Sequence, residues 1–180
     1  DVTPHAIEMS LISHASGVQF LLASPHPKDA ILYNKLENFE AIVKNLPFIA
    51  RYVIIDLGSS LPPITQISLN QCDEVVVILE PSPNNVLQTK NLIQNLVELG
   101  IGEGRIRVAL VNRVRSSVQL NLTQVQEDLG HKLATVFTPA PELAYQASAN
   151  NQPMVIQQPG SITAQQFDKL ASLVTQRDHQ

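Results

Sequence analysis

Apolar residues along this chain come in two spacings, and the two alternate. Continuous runs stand at Tyr52-Val53-Ile54-Ile55, Val75-Val76-Val77-Ile78-Leu79 and Ile106–Val111. Runs of that length, bounded by polar or turn residues, read as strands buried on both faces of a parallel sheet. Val18–Ala23 reads as an earlier strand and Leu133–Phe137 as a short last one. Between them, apolar groups recur at helical spacing. Leu36, Phe39, Ile42 and Val43 predict a helix over Asn34–Asn45. Val86, Leu87, Leu92, Ile93 and Leu96 predict another, capped by Ser82 or Asn84 and stopped at Gly100. Further helices are expected over Pro4–His14, from Leu61 with Ile64, Ile67 and Leu69 inward, over Gln119–Leu129, over Glu142–Asn150, and after Ser161. The last of these has Ile162, Phe167, Leu170, Leu173 and Val174 on its buried side. Gln152–Val155 and Gln157–Gly160 read as loop, and Gln176–Gln180 as a frayed end. Strands alternating with helices predict an α/β fold, a mostly parallel sheet with helices on both faces. No stretch reads as a linker, so residues 1–180 are expected to form a single domain.

The ends of the strands carry the candidate chemistry. In open α/β sheets, ligands bind beyond the carboxyl ends of the strands. Arg51–Ser60 is the organising stretch: its apolar run ends at Asp56, and Gly58 follows. A carboxylate there can hold a Mg²⁺-bound water or orient an attacking one. The alternative is a cap for the following helix. Glu80-Pro81-Ser82, Asn112-Arg113 and the Thr138-Pro139-Ala140-Pro141 loop end the other strands. The Asn112 amide presents a donor and an acceptor, as an adenine edge requires. A carboxylate, an amide with a guanidinium, and a proline-stiffened loop would together suit a nucleotide. The expectation is that the tips after Ile55, Val111 and Phe137 share one rim. Gly100-x-Gly102-x-Gly104 is no phosphate loop: it follows a helix and precedes a strand, the reverse of the order that aims amides at phosphate.

Composition narrows the partners. The net charge is −4, which gives no electrostatic reason to expect nucleic acid. The one cysteine, Cys72, cannot form an internal disulfide and reads as an inert packing residue in a reducing compartment. No run approaches the ~20 apolar residues of a membrane span, and no signal peptide opens the chain. The last helix carries only Lys169 and Arg177 as basic groups, too few for a lipid-surface signal. A cytoplasmic protein is expected. His5, His14 and His26 lack metal-site spacing. The opening Asp1-Val2-Thr3-Pro4 has no initiator methionine and reads as a fragment or processed chain.

Several of these stretches resemble one family. Val53-Ile54-Ile55-Asp56-Leu57-Gly58 resembles the Walker B/switch II stretch of the MinD/ParA-like deviant-Walker P-loop ATPases. Cys72–Ser82 is similar to that family's next strand, Val111-Asn112-Arg113 to its base-recognition strand end, and Pro141-Glu142-Leu143 through Pro153-Met154-Val155 to its adenine-loop segment. Ser16–Pro25 resembles the pilus-assembly, CpaE-like branch. The resemblance covers nearly the whole chain. It implies an ATP-dependent dimer switch with ATP and Mg²⁺ as cofactors, working as a homodimer with pilus-assembly or polar-positioning proteins. It gives Asp56 a water-mediated Mg²⁺ contact and a catalytic switch role. Asn112 would recognise adenine, Arg113 would flank the base, and Pro139, Ala140 and Pro141 would form the adenine loop.

Two departures stand against full transfer. No Gly-Lys-rich Walker A loop occurs among only seven glycines, so the fold is expected to lack its first P-loop strand and hydrolysis by this chain alone is not expected. The family's loop aspartate aligns with Ala140. Two other readings compete. One is a degenerate, non-catalytic scaffold of the same fold that binds partner proteins. The other is a receiver-like signalling domain with Asp56 as phosphoacceptor. The latter needs an acidic pair after the first strand and a lysine after the fifth, and Ala23-Ser24-Pro25 and Phe137-Thr138-Pro139 supply neither.

Overall fold

The computed structural model describes residues 2–114 and 119–175, so the expected fray of Gln176–Gln180 lies outside the described residues. The chain forms two compact units, Asp1–Asp73 and Glu74–Gln180.

In the first unit, Thr3 caps helix α1 (Pro4–Glu8), its Oγ1 accepting the Ala6 N–H at 3.2 Å. The helix is shorter than expected and buries Ile7. The chain then turns into a small antiparallel hairpin, β1 (Ile12–Ser13) and β2 (Gln19–Phe20), with Ile12 opposite Phe20. The strand expected over Val18–Ala23 is thus two residues long and exposed on the hairpin. A 3₁₀ stretch, Pro27–Asn34, leads to α2 (Leu36–Asn45), which buries Val43 and packs against α3 (Pro63–Gln71). Leu69, Thr65 and Ser68 of α3 are buried.

Between α2 and α3 lies the organising stretch, and here the structure corrects the sequence reading. Val53–Leu57 belongs to no strand, and Ile54 is 97% exposed. An apolar run becomes a buried strand only where a neighbouring strand takes up its amides and carbonyls. No described strand pairs with Val53–Leu57.

The second unit is built on β3 (Val75–Leu79), β4 (Ile106–Val111) and β5 (Leu133–Phe137), all parallel in the order β3-β4-β5. These three apolar runs form the strands expected of them. Alternation of side chains along each strand separates two faces. On one face Leu79, Val108 and Leu110 pack with Val86 of α4 (Pro83–Glu98) and with Val125 and Leu129 of α5 (Leu122–Leu129). On the other, Thr135 and Phe137 meet α8 (Ile162–Thr175), with the Phe137 and Phe167 rings 4.6 Å apart. This is the expected sheet with helices on both faces. Between β5 and α8 lie α6 (Pro141–Ala149) and one helical turn, α7 (Met154–Gln157), where a loop was expected.

Helix ends follow local chemistry. Ser82, one of the two expected caps, accepts the Asn85 N–H, and Ser161 accepts that of Ala164. Asn121 and Gln124 form a reciprocal capping box on α5, and Gly130 closes that helix at φ +70°, a conformation glycine adopts without strain. Asn121→Ala is expected to destabilise the second unit by about 1 kcal/mol. Urea denaturation of the two proteins side by side measures it.

Candidate functional site

Register places the strand ends of the second unit on one edge. Leu79 is opposite Leu110 and Val111 is opposite Phe137, so the chain leaves all three parallel strands on the same side. Glu80 follows β3, Asn112-Arg113 follows β4, and Thr138–Ala140 follows β5.

Asn112 is half-buried there. Its N–H donates to the Phe137 carbonyl at 2.9 Å, carrying the β4–β5 pairing one bond past the ladder. Its side-chain Oδ1 accepts the Val114 N–H at 3.3 Å, so the amide group shapes its own loop. The amide nitrogen makes no bond to a described residue, and the carbonyl oxygen has a second lone pair besides the one on Val114. Arg113 leans back across the strand ends: its Nε lies 2.8 Å from Glu80 Oε1.

The loop after β5 is clamped from α8. Thr138 N–H donates to Gln166 Oε1 at 3.1 Å, and Gln166 Nε2 donates to Thr138 Oγ1 at 3.3 Å. Pro139 and Ala140 are half-buried, and Pro141 is exposed at the first turn of α6. Ala140 holds the cap position of α6 and offers no side-chain acceptor to its amides. An aspartate at that position could have accepted one.

Asn112, Arg113, Pro139, Ala140 and Pro141 therefore share one edge of one sheet. Asp56 belongs to the other unit. It is exposed, and its Oδ1 accepts the Gly58 N–H at 3.1 Å in a turn where Gly58 sits at φ +69°. It does not cap the next helix, because α3 begins at Pro63 with no side-chain cap at Pro62. Asp56 Oδ2 makes no bond to a described residue, which fits contact with a metal-bound water. Among the described residues no three His, Cys, Asp or Glu side chains are grouped to hold a metal ion directly. A phosphate-bound Mg²⁺ touched through water would suit this donor set, and a dedicated protein cage would not.

Two residues gain roles that sequence reasoning did not assign. Glu80 is the partner of Arg113, and Gln166 is the clamp on Thr138. The first was within reach, since both residues stand at the ends of adjacent strands. The second left no local trace, because 28 residues separate it from the loop it holds.

No protein-family model matches this sequence, and no curated protein matches it. Solved structures do match in shape. The septum site-determining protein MinD from Pyrococcus horikoshii OT3, complexed with Mg-ADP, is 19% identical, with a TM-score of 0.80 over 96% of this chain and 70% of that one. A ParA family ATPase from Chlorobium tepidum TLS is 14% identical, with a TM-score of 0.81 over 99% of this chain and 71% of that one. The Pyrococcus furiosus cell division ATPase MinD is 18% identical, with a TM-score of 0.79, covering 98% and 76%. The parallel sheet, the helices on its two faces and these likenesses agree: the chain has the α/β fold of the MinD/ParA-like P-loop NTPases.

Proposed function

We propose that this chain is the greater part of an ATPase domain that works, in the complete protein, as an ATP- and Mg²⁺-dependent dimer switch for a pilus-assembly or polar-positioning system. The observation that carries the reading is half-buried Asn112, whose backbone N–H is held by the Phe137 carbonyl and whose side-chain Oδ1 is held by the Val114 N–H, beside a proline loop that Gln166 holds in place. An amide fixed at a sheet's carboxyl edge can read a base edge without first being ordered. In this reading Asn112 bonds adenine, Arg113 lies against the base, and Pro139-Ala140-Pro141 forms the wall of its pocket. For the first unit, the reading gives Asp56 the orienting of a water. Mg²⁺ would supply neutralisation of the phosphate charge. The reading requires a phosphate-gripping loop from residues outside this sequence, since none occurs within it.

The test is calorimetric titration of ATP·Mg²⁺ into the full-length protein. Binding is expected, and Asn112→Ala is expected to weaken it by about tenfold or more, the usual cost of one lost hydrogen bond in a half-buried site. Full-length protein that binds no nucleotide would instead support the non-catalytic scaffold.

A further inference from the structure

We propose that Glu80 determines which base this rim prefers, by holding Arg113 away from the fork geometry that guanine rewards. The inference rests on the nucleotide reading of the same rim. Glu80 stands one residue past the Leu79–Leu110 pair, with backbone hydrogen bonds before and after it. Its carbonyl accepts the Ser82 N–H at 2.8 Å. The next residue, Pro81, is buried, and its carbonyl accepts the Leu120 N–H at 3.4 Å. Arg113 stands beyond β4, and its side chain is 75% exposed against 43% for Glu80. The carboxylate is thus the anchored half of the pair and the guanidinium the adjustable half.

A free arginine at a base site has an evident use. Its planar fork fits guanine O6 and N7 with two parallel hydrogen bonds. With Nε engaged by Glu80 at 2.8 Å, a fork that uses Nε is closed to a base, and only the outer Nη1–Nη2 pair is left. The carboxylate adds a second bias. It attracts an exocyclic amino group, as at adenine C6, and repels a carbonyl oxygen in the same place, as in guanine. With the carboxylate facing C6 of the base, both effects favour adenine. Neither requires Glu80 to stabilise the fold, and an ion pair this exposed contributes little to stability.

The readout is the ratio of GTP to ATP dissociation constants, measured on the full-length protein with Mg²⁺ by fluorescent-nucleotide displacement. Glu80→Gln keeps size and polarity and removes the charge. It is expected to shrink the preference for ATP by about threefold to tenfold, the range of a single exposed charge pair and a partial base contact. In an Arg113→Ala background the same substitution is expected to change the ratio by less than half as much. An unchanged ratio in Glu80→Gln, while Asn112→Ala still weakens ATP, overturns this inference and leaves the nucleotide reading standing. An equal shift with and without Arg113 overturns the route through Arg113. If wild-type protein binds no nucleotide, or Asn112→Ala and Arg113→Ala both leave binding untouched, the nucleotide reading fails and this inference fails with it.

Discussion

Leu110→Ala is expected to destabilise the second unit by about 3 kcal/mol, a large share of the ~5–15 kcal/mol that holds a domain together. Leu110 is 1% exposed and lies on β4, the middle strand of the three. Its side chain belongs to the cluster of Leu79, Val86, Val108, Val125 and Leu129. β4 is hydrogen-bonded on both sides, so the backbone cannot move in to fill the space that three lost carbons leave. That combination of lost transfer energy and an unrelaxed cavity places the change within the large-to-small range for buried leucines. Leu110→Met, which roughly conserves volume, is expected to cost less than about 1.5 kcal/mol. Leu87→Ala on the outer side of α4, where Leu87 is 59% exposed, is expected to stay within about 0.5 kcal/mol. Urea denaturation followed by circular dichroism compares the three. A loss below about 1 kcal/mol for Leu110→Ala would mean that the sheet is not the core of this unit.

The same three strands show what the sequence made legible. Val75–Leu79, Ile106–Val111 and Leu133–Phe137 each carry an apolar run that neighbours cover, so pattern and structure coincide. The cap at Ser82 and the helix start after Ser161 were readable because they depend on residues within three or four positions. Tyr52–Ile55 has the same apolar signal, yet it forms no strand. Whether an apolar run becomes a strand is decided by what lies beside it, and a run records only its own side chains. The Gln19–Phe20 hairpin strand has the complementary history: its turn at Gly17 fixes a local two-residue ladder where the pattern suggested a longer buried element. At the candidate site, strand ends were legible because parallel topology sends them to one edge. The Glu80–Arg113 bond depends on register and rotamer, and the Gln166 clamp on a distant helix, and neither is encoded in a local motif.

Asp56→Asn is expected to lower ATP turnover by the full-length protein by about a hundredfold while leaving ATP affinity within about threefold of wild type. The expectation follows from the division of labour between the carboxylate oxygens. Oδ1 is occupied by the Gly58 N–H, and a carboxamide oxygen can accept that bond equally well, so the turn is retained. Oδ2 has no described partner and is the atom available to a water. Replacing it with NH₂ turns an acceptor into a donor and removes the negative charge, so a water bound to Mg²⁺ or aimed at a phosphate loses its orienting partner. In the proposed reading, binding rests on the base contacts and a phosphate grip, and is largely separate from that step. A selective loss of turnover is therefore the signature of this role. Equal loss of affinity and turnover would instead mean that Asp56 holds the turn as a whole. The receiver-like reading makes the opposite demand on the same atom. There, a small phosphodonor such as acetyl phosphate would phosphorylate the wild-type Asp56 carboxylate and leave the Asp56→Asn variant unlabelled, with no dependence on ATP. Turnover at the wild-type rate in Asp56→Asn would remove Asp56 from the chemistry, and with it the link between the carboxylate after Ile55 and the switch.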